Sequence, residues 1–212
     1  RELERLTTQL AEVFGSALDP DRLADAVTAE VRCAEALAAL PGGGADAFVA
    51  RNAGRWMAPS DHVGLLANAP ESDAAASGPE IVLVGSACES QVLHGPCEGL
   101  GRVRADLQDY GGTPPQGADT THLLREIVLD PLSPRAVPPD RYTRALQEET
   151  AGADLVIASL DANDDCFGWE LPLLRQTVEA RGSRFLNLGF RPFRPDAAWE
   201  DAARTKIEEA LT

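Results

Sequence analysis

No stretch of this sequence approaches the roughly 18 consecutive apolar residues that cross a bilayer, and its opening, RELERLTTQLAEVFG, lacks the apolar core of a secretory signal. Basic side chains are also scarce. The 19 Lys and Arg against 34 Asp and Glu give a formal net charge of −15, whose field repels nucleic-acid phosphates and anionic membrane surfaces. Four cysteines in 212 residues are too few for a disulfide scaffold. Several motifs are missing as well: there is no Walker loop, no nucleophile elbow, and GPCEGLG has its glycines at the wrong spacing for a dinucleotide fingerprint. His62, His94 and His122 stand at no recognised partner spacing. These absences predict a cytoplasmic protein with no membrane or nucleic-acid partner, in which each cysteine is a core thiol or a ligand.

What is present divides at APESDAAASGPE, residues 69–80, where small, polar and proline residues interrupt any periodicity. Upstream, over 1–70, the pattern is helical. Leu3, Leu6, Leu10 and Val13 recur at helical spacing. An aspartate–proline start signal opens a helix at 19 that ends before Pro41, and shorter helices are expected near 45–56 and 60–67. Alanine-rich acidic helices of this kind read as a solvated packing layer. Over 80–212, short apolar runs alternate with helical segments: strands at 81–85, 101–106, 154–160 and 184–190, helices near 89–100, 139–151, 170–181 and 195–211. The region 111–138 reads as a long loop around one short helix at 120–128. Such alternation implies an α/β fold, a small doubly wound and mostly parallel sheet with helices on both faces, preceded by the helical segment.

In an open parallel sheet, ligands bind beyond the carboxyl ends of the strands. That rule collects Ser86, Cys88 and Glu89 after the first strand, and Asp106, Gln108 and Asp109 after the second. Asp161, Asn163, Asp164, Asp165 and Cys166 follow the third, and Arg191 and Arg194 the fourth. Carboxylates suit acid–base work or a hard cation, and equally serve as helix caps. Arginines suit bidentate binding of an oxyanion. Thiolates from Cys88, Cys97 and Cys166 can converge on a soft metal, although most free cysteines are small buried hydrophobes, as is expected of Cys33.

Three segments carry a resemblance: IVLVGSACES, GRVRADLQDYGG, and DLVIASLDANDDCFGWELPLL with RQTVEARGSRFLNL after it. In order and wording they resemble the C-terminal half of a subunit of the 2-hydroxyacyl-CoA dehydratase and benzoyl-CoA reductase family. The resemblance implies a heterodimer with a homologous dehydratase-type subunit. It also implies a [4Fe-4S] cluster, an ATP-dependent activator protein, and one-electron reduction and dehydration of an acyl-CoA thioester. On this reading Ser86, Glu89, Asp164 and Asp165 are the catalytic candidates, Gln108, Arg191 and Arg194 bind substrate, and Cys88, Cys97 and Cys166 are the metal candidates. Two family ligand positions hold Gln108 and Asp164 instead of cysteine. The rival expectation is therefore a cluster-free scaffold or ligand-binding partner subunit that keeps the fold; on either reading a dimer or heteromeric complex is expected, with Trp56, Met57, Phe167 and Trp169 as candidates for the contact.

Overall fold

The computed structural model of the chain describes residues 2–17, 19–40, 44–69, 78–86, 91–108, 138–164 and 166–212. The helix expected at 120–128 and nearly all of the 111–138 loop lie outside them. Four helices lead: α1 (Glu2–Phe14), α2 (Pro20–Ala39), α3 (Ala45–Ala53) with a 3-10 turn at Gly54–Trp56, and α4 (Pro59–Leu66). The start signal works as read: Asp19 caps α2 by accepting from the Asp21 N–H at 3.0 Å, with Pro20 in the first turn.

The α/β part follows as β1 (Glu80–Gly85), α5 (His94–Cys97), β2 (Arg102–Asp106), α6 (Pro139–Glu149), β3 (Leu155–Asp161), a 3-10 turn at Phe167–Trp169, α7 (Leu171–Ala180), β4 (Arg184–Arg191) and α8 (Ala197–Leu211). The sheet order is β2-β1-β3-β4 and every pairing is parallel. Among the described residues, the expected helix at 89–100 is reduced to the four residues of α5, because Pro96 and the glycines at 95, 99 and 101 are too dense to sustain it. No helix among the described residues is long and apolar enough to cross a membrane.

Burial on both faces explains why the central strands are continuous apolar runs. Ile81, Leu83, Leu155 and Ile157 pack on one face with Cys97, Ala203 and Ile207 of α5 and α8. Val82, Val84 and Val156 pack on the other with Leu146 of α6 and Leu171, Leu174 and Val178 of α7. Each fully buried aliphatic chain contributes about 1.5–3 kcal/mol. A third, smaller core of Cys33, Leu37, Ala50 and Leu66 holds the helical segment together. At its centre, buried His62 donates from Nε2 to the Ala50 carbonyl at 2.7 Å and accepts at Nδ1 from the Cys33 thiol at 3.1 Å. Burial, and then Glu30, raise the Cys33 pKa, so the thiol keeps the proton that this bond needs. The bond ties α3 to α2 and α4 and so fixes where the rest of α3 faces.

Because the connection from β1 runs to β2 on one side and the connection from β2 crosses back past β1 to β3 on the other, the switch point lies between β1 and β3. There Gly85 has φ +130°, and a Cβ built on it falls 1.9 Å from the Ser159 carbonyl oxygen. Only glycine allows this approach. Gly85→Ala is expected to cost more than about 3 kcal/mol by combining strain with a backbone clash. Urea denaturation monitored by circular dichroism checks this, and a loss below about 1 kcal/mol would contradict the geometry.

Candidate functional site

The close approach at Gly85 sets the next residue. The Ser86 N–H donates to the Ser159 carbonyl at 3.1 Å, and the Ser86 hydroxyl accepts from the Asp161 N–H at 2.9 Å while donating to Asp164 Oδ2 at 2.5 Å. The other Asp164 oxygen accepts from the N–H groups of Cys166 and Phe167, at 2.9 and 3.0 Å. Burial raises the Asp164 pKa, but the Ser86 hydroxyl, the two N–H groups and Arg191 outweigh it and hold the carboxyl below its ordinary value. Asp164 is thus an ionised carboxylate that shapes the β3 loop.

Arg191 reaches the same place through a bulge in β4. Ala158 pairs with Asn187 but Leu160 pairs with Phe190, so β4 carries one extra residue there, at Gly189 with φ +76°. The shift leaves Phe190 exposed and Arg191 buried. Its guanidinium donates to the Ser159 and Ser86 carbonyls, each at 3.3 Å. It therefore clamps the carboxyl ends of β3 and β1 together.

Asp106, at the end of β2, is 2% exposed. Its Oδ1 accepts from both the backbone N–H and the side-chain Nε2 of Gln108, each at 3.0 Å. Oδ2 lies 3.6 Å from His94 Nε2 and makes no hydrogen bond among the described residues. Burial raises the Asp106 pKa to about 6, against the lowering effects of Gln108, Arg51 and Arg191. Arg51 comes from α3, whose Phe48 also packs on the His94 ring at a centroid distance of 4.8 Å. Its Nε and Nη2 are buried and have no hydrogen-bond partner among the described residues, nor has Gln108 Oε1. Buried polar groups left in this state cost about 1–3 kcal/mol each, so their concentration around Asp106 calls for a specific explanation.

The rim residues named from sequence fall into three groups. Ser86, Asp164 and Arg191 are joined by hydrogen bonds at the strand ends and Gln108 is bonded to Asp106, whereas Arg194 is exposed and makes none of these contacts. Cys88, Glu89, Asp165 and Asp109 lie outside the described residues. The two described cysteine candidates separate. Cys166 is exposed on the β3 loop. Cys97 is 1% exposed in the α5–α8 core, with burial raising its pKa to about 12 against the opposing pull of Arg204. It is a core thiol. Of the aromatic contact candidates, Trp56 and Trp169 are exposed, Met57 is half-buried, and Phe167 is a core residue set edge-on to Tyr142.

Sequence reasoning missed Arg51 and His94 and gave Asp106 no role. A signal existed for Arg51. It stands three and four residues after Phe48 and Ala47, on the side of α3 that is buried, so its charge had to meet a partner there.

No protein-family model matches the chain, and no curated protein matches it. The fit of a [4Fe-4S] cluster therefore rests on the donors themselves. Among the described residues no three His, Cys, Asp or Glu converge as a metal site, and Cys166 is the one accessible thiol. Gln108 and Asp164 are hard donors already engaged with Asp106 and Ser86. The described residues do not fit a thiolate-held cluster, and no step is derived through one. What the arrangement can do is exchange a proton at Asp106, whose pKa burial raises to about 6.

Two expected outcomes follow from burial and charge. With a thiol-reactive dye on the native chain, Cys166 should label at once, and Cys33 and Cys97 only on unfolding; rapid labelling of Cys97 would place it outside the core. Asp106 prefers its proton in the folded state, so its ionisation destabilises the fold progressively between about pH 4 and 6, and fully above that. Asp106→Asn should then be more stable than the wild type above pH 6, by up to roughly 3 kcal/mol, and equal to it below pH 4. Thermal melts across that range test the sign, and a variant less stable at neutral pH would reverse it.

Proposed function

We propose that the chain is a partner subunit of the 2-hydroxyacyl-CoA dehydratase and benzoyl-CoA reductase type. It acts within a heteromeric complex on an acyl-CoA thioester, and a homologous subunit carries the [4Fe-4S] cluster that an ATP-dependent activator reduces. One observation supports this assignment of roles most. The two positions at which the family resemblance expects thiolates are Gln108 and Asp164, and each is turned into an internal hydrogen bond at the switch-point rim. A chain that keeps the crevice but fills its ligand positions with hard, engaged donors suits a non-redox half of a pair. Exposed Phe190 and Phe193 beside Arg191, and Trp169 after β3, add an apolar border to the same rim, as a docking face requires.

A second reading has its own support in Cys166, an exposed thiol at the family's third-strand loop. On that reading the chain itself holds iron through Cys166 and Cys88. Anaerobic co-expression with a dehydratase-type subunit, followed by affinity capture and iron and sulfide analysis, distinguishes the two. The expected result is a stable heteromer that binds an acyl-CoA and whose iron content is unchanged by Cys166→Ser. Iron lost in that variant would move the cluster onto this chain. A chain recovered alone, with no acyl-CoA binding, would reject both.

A further inference from the structure

His94 of α5 and Asp106 of β2 meet out of contact with water. The imidazole Nε2 stands 3.6 Å from Asp106 Oδ2, with both side chains buried, while Oδ1 is held by two bonds from Gln108. Oδ2 is therefore the oxygen that carries the proton when this carboxyl is neutral, facing the ring nitrogen. Over that ring lies buried Phe48 of α3, at 4.8 Å between centroids. Although α3 covers the pair in this way, it contributes to neither core of the sheet: its Ala50 packs with Cys33, Leu37 and Leu66 in the core of the helical segment. An element with a core of its own can lift as a unit while the sheet stays closed.

We infer that the His94–Asp106 pair is a pH-sensitive latch between the helical segment and the sheet: a proton on Asp106 keeps α3 seated over the pair, and loss of that proton to solvent lets α3 lift. No other bond is made or broken. A neutral carboxyl beside an imidazole suits a dry contact, whereas a carboxylate there gains from being reached by water. His94 and Cys97 face Asp106 from α5, Arg51 acts on it from α3, Arg191 from β4 and Gln108 from its own turn, while β1 pairs with it through apolar Leu83. The two guanidiniums and Gln108 favour the carboxylate, but burial outweighs them and sets the pKa at about 6 against an ordinary 3.8. The seated state thus holds the proton more tightly than the lifted one. Its advantage is complete below about pH 4, is lost progressively as pH rises to about 6, and is gone above that. The latch involves no ligand, so it stands or falls separately from the acyl-CoA function proposed above.

Hydrogen exchange of the full chain, followed by NMR at pH 4 and pH 7 and corrected for the intrinsic pH dependence of exchange, reads the lifting directly. At both pH values the α3 amides should open while those of β1 and β3 stay protected, and the α3 opening should be about a hundredfold more populated at pH 7. Asp106→Asn, which cannot ionise, should show the same α3 protection at both. Phe48→Ala, which removes the ring contact and keeps the carboxyl, should lower α3 protection at both and bring the Asp106 midpoint down from about 6 toward 3.8; it serves if the asparagine variant does not fold. The inference would be overturned by α3 amides that open only together with the sheet, or by α3 protection indifferent to pH. A pH dependence that survives in Asp106→Asn, or an Asp106 midpoint unmoved when Phe48→Ala loosens α3, would overturn it equally.

Discussion

Gly85 leaves no space between β1 and β3, and the whole rim is arranged around that contact. Because the Ser159 carbonyl comes where a Cβ would be, the Ser86 N–H can reach it and the Ser86 hydroxyl comes to lie under the β3 loop. Asp164 then locks the loop through Ser86, and Arg191, redirected by the β4 bulge, bonds the carbonyls of both strands. A single backbone approach thus propagates into a rim whose polar atoms are largely pre-positioned. Preorganisation of this sort reduces the ordering cost that a ligand would otherwise meet.

The two carboxylates of the rim are driven apart by their surroundings. Asp164 has three hydrogen-bond donors and is held ionised; Asp106 is buried more deeply, with one oxygen saturated, and is pushed toward neutrality. Sites that hold titratable groups in opposed states are those able to bind charge and move a proton at constant pH. The helical segment takes part in this division. Arg51 approaches Asp106 from α3, and α3 is itself held by the His62 bond to the Ala50 carbonyl. Packing at Cys33 and His62 is therefore coupled to electrostatics at the sheet, through one helix.

Much of the fold was legible because its signals are local. Four short strand-like runs, three of them with β-branched residues, the Asp19–Pro20 cap and the small-residue division at 69–80 each follow from the physics of a few neighbouring residues. The four strands form the expected parallel sheet. The rim was legible in outline for the same reason, since residues after a strand end must lie at its carboxyl edge. What was hidden depends on contacts between distant segments. Nothing around Arg51 shows that α3 will meet Asp106, more than fifty positions away. Cys97 stood as a ligand candidate within or near the helix expected at 89–100, whose orientation no local signal fixes; one short helical turn delivers it into the α5–α8 core. Phe167 likewise follows the acidic loop yet turns inward onto Tyr142.

The central claim is that this rim is a desolvated and charge-balanced site built around Asp106. The most direct measurement is the titration of the Asp106 carboxyl carbon by NMR in the wild type and in Arg51→Gln. The account predicts a midpoint near 6 in the wild type and a higher one in the variant, because a stabilising cation has been removed. A midpoint at the ordinary aspartate value of about 3.8, unmoved by loss of Arg51, would contradict it.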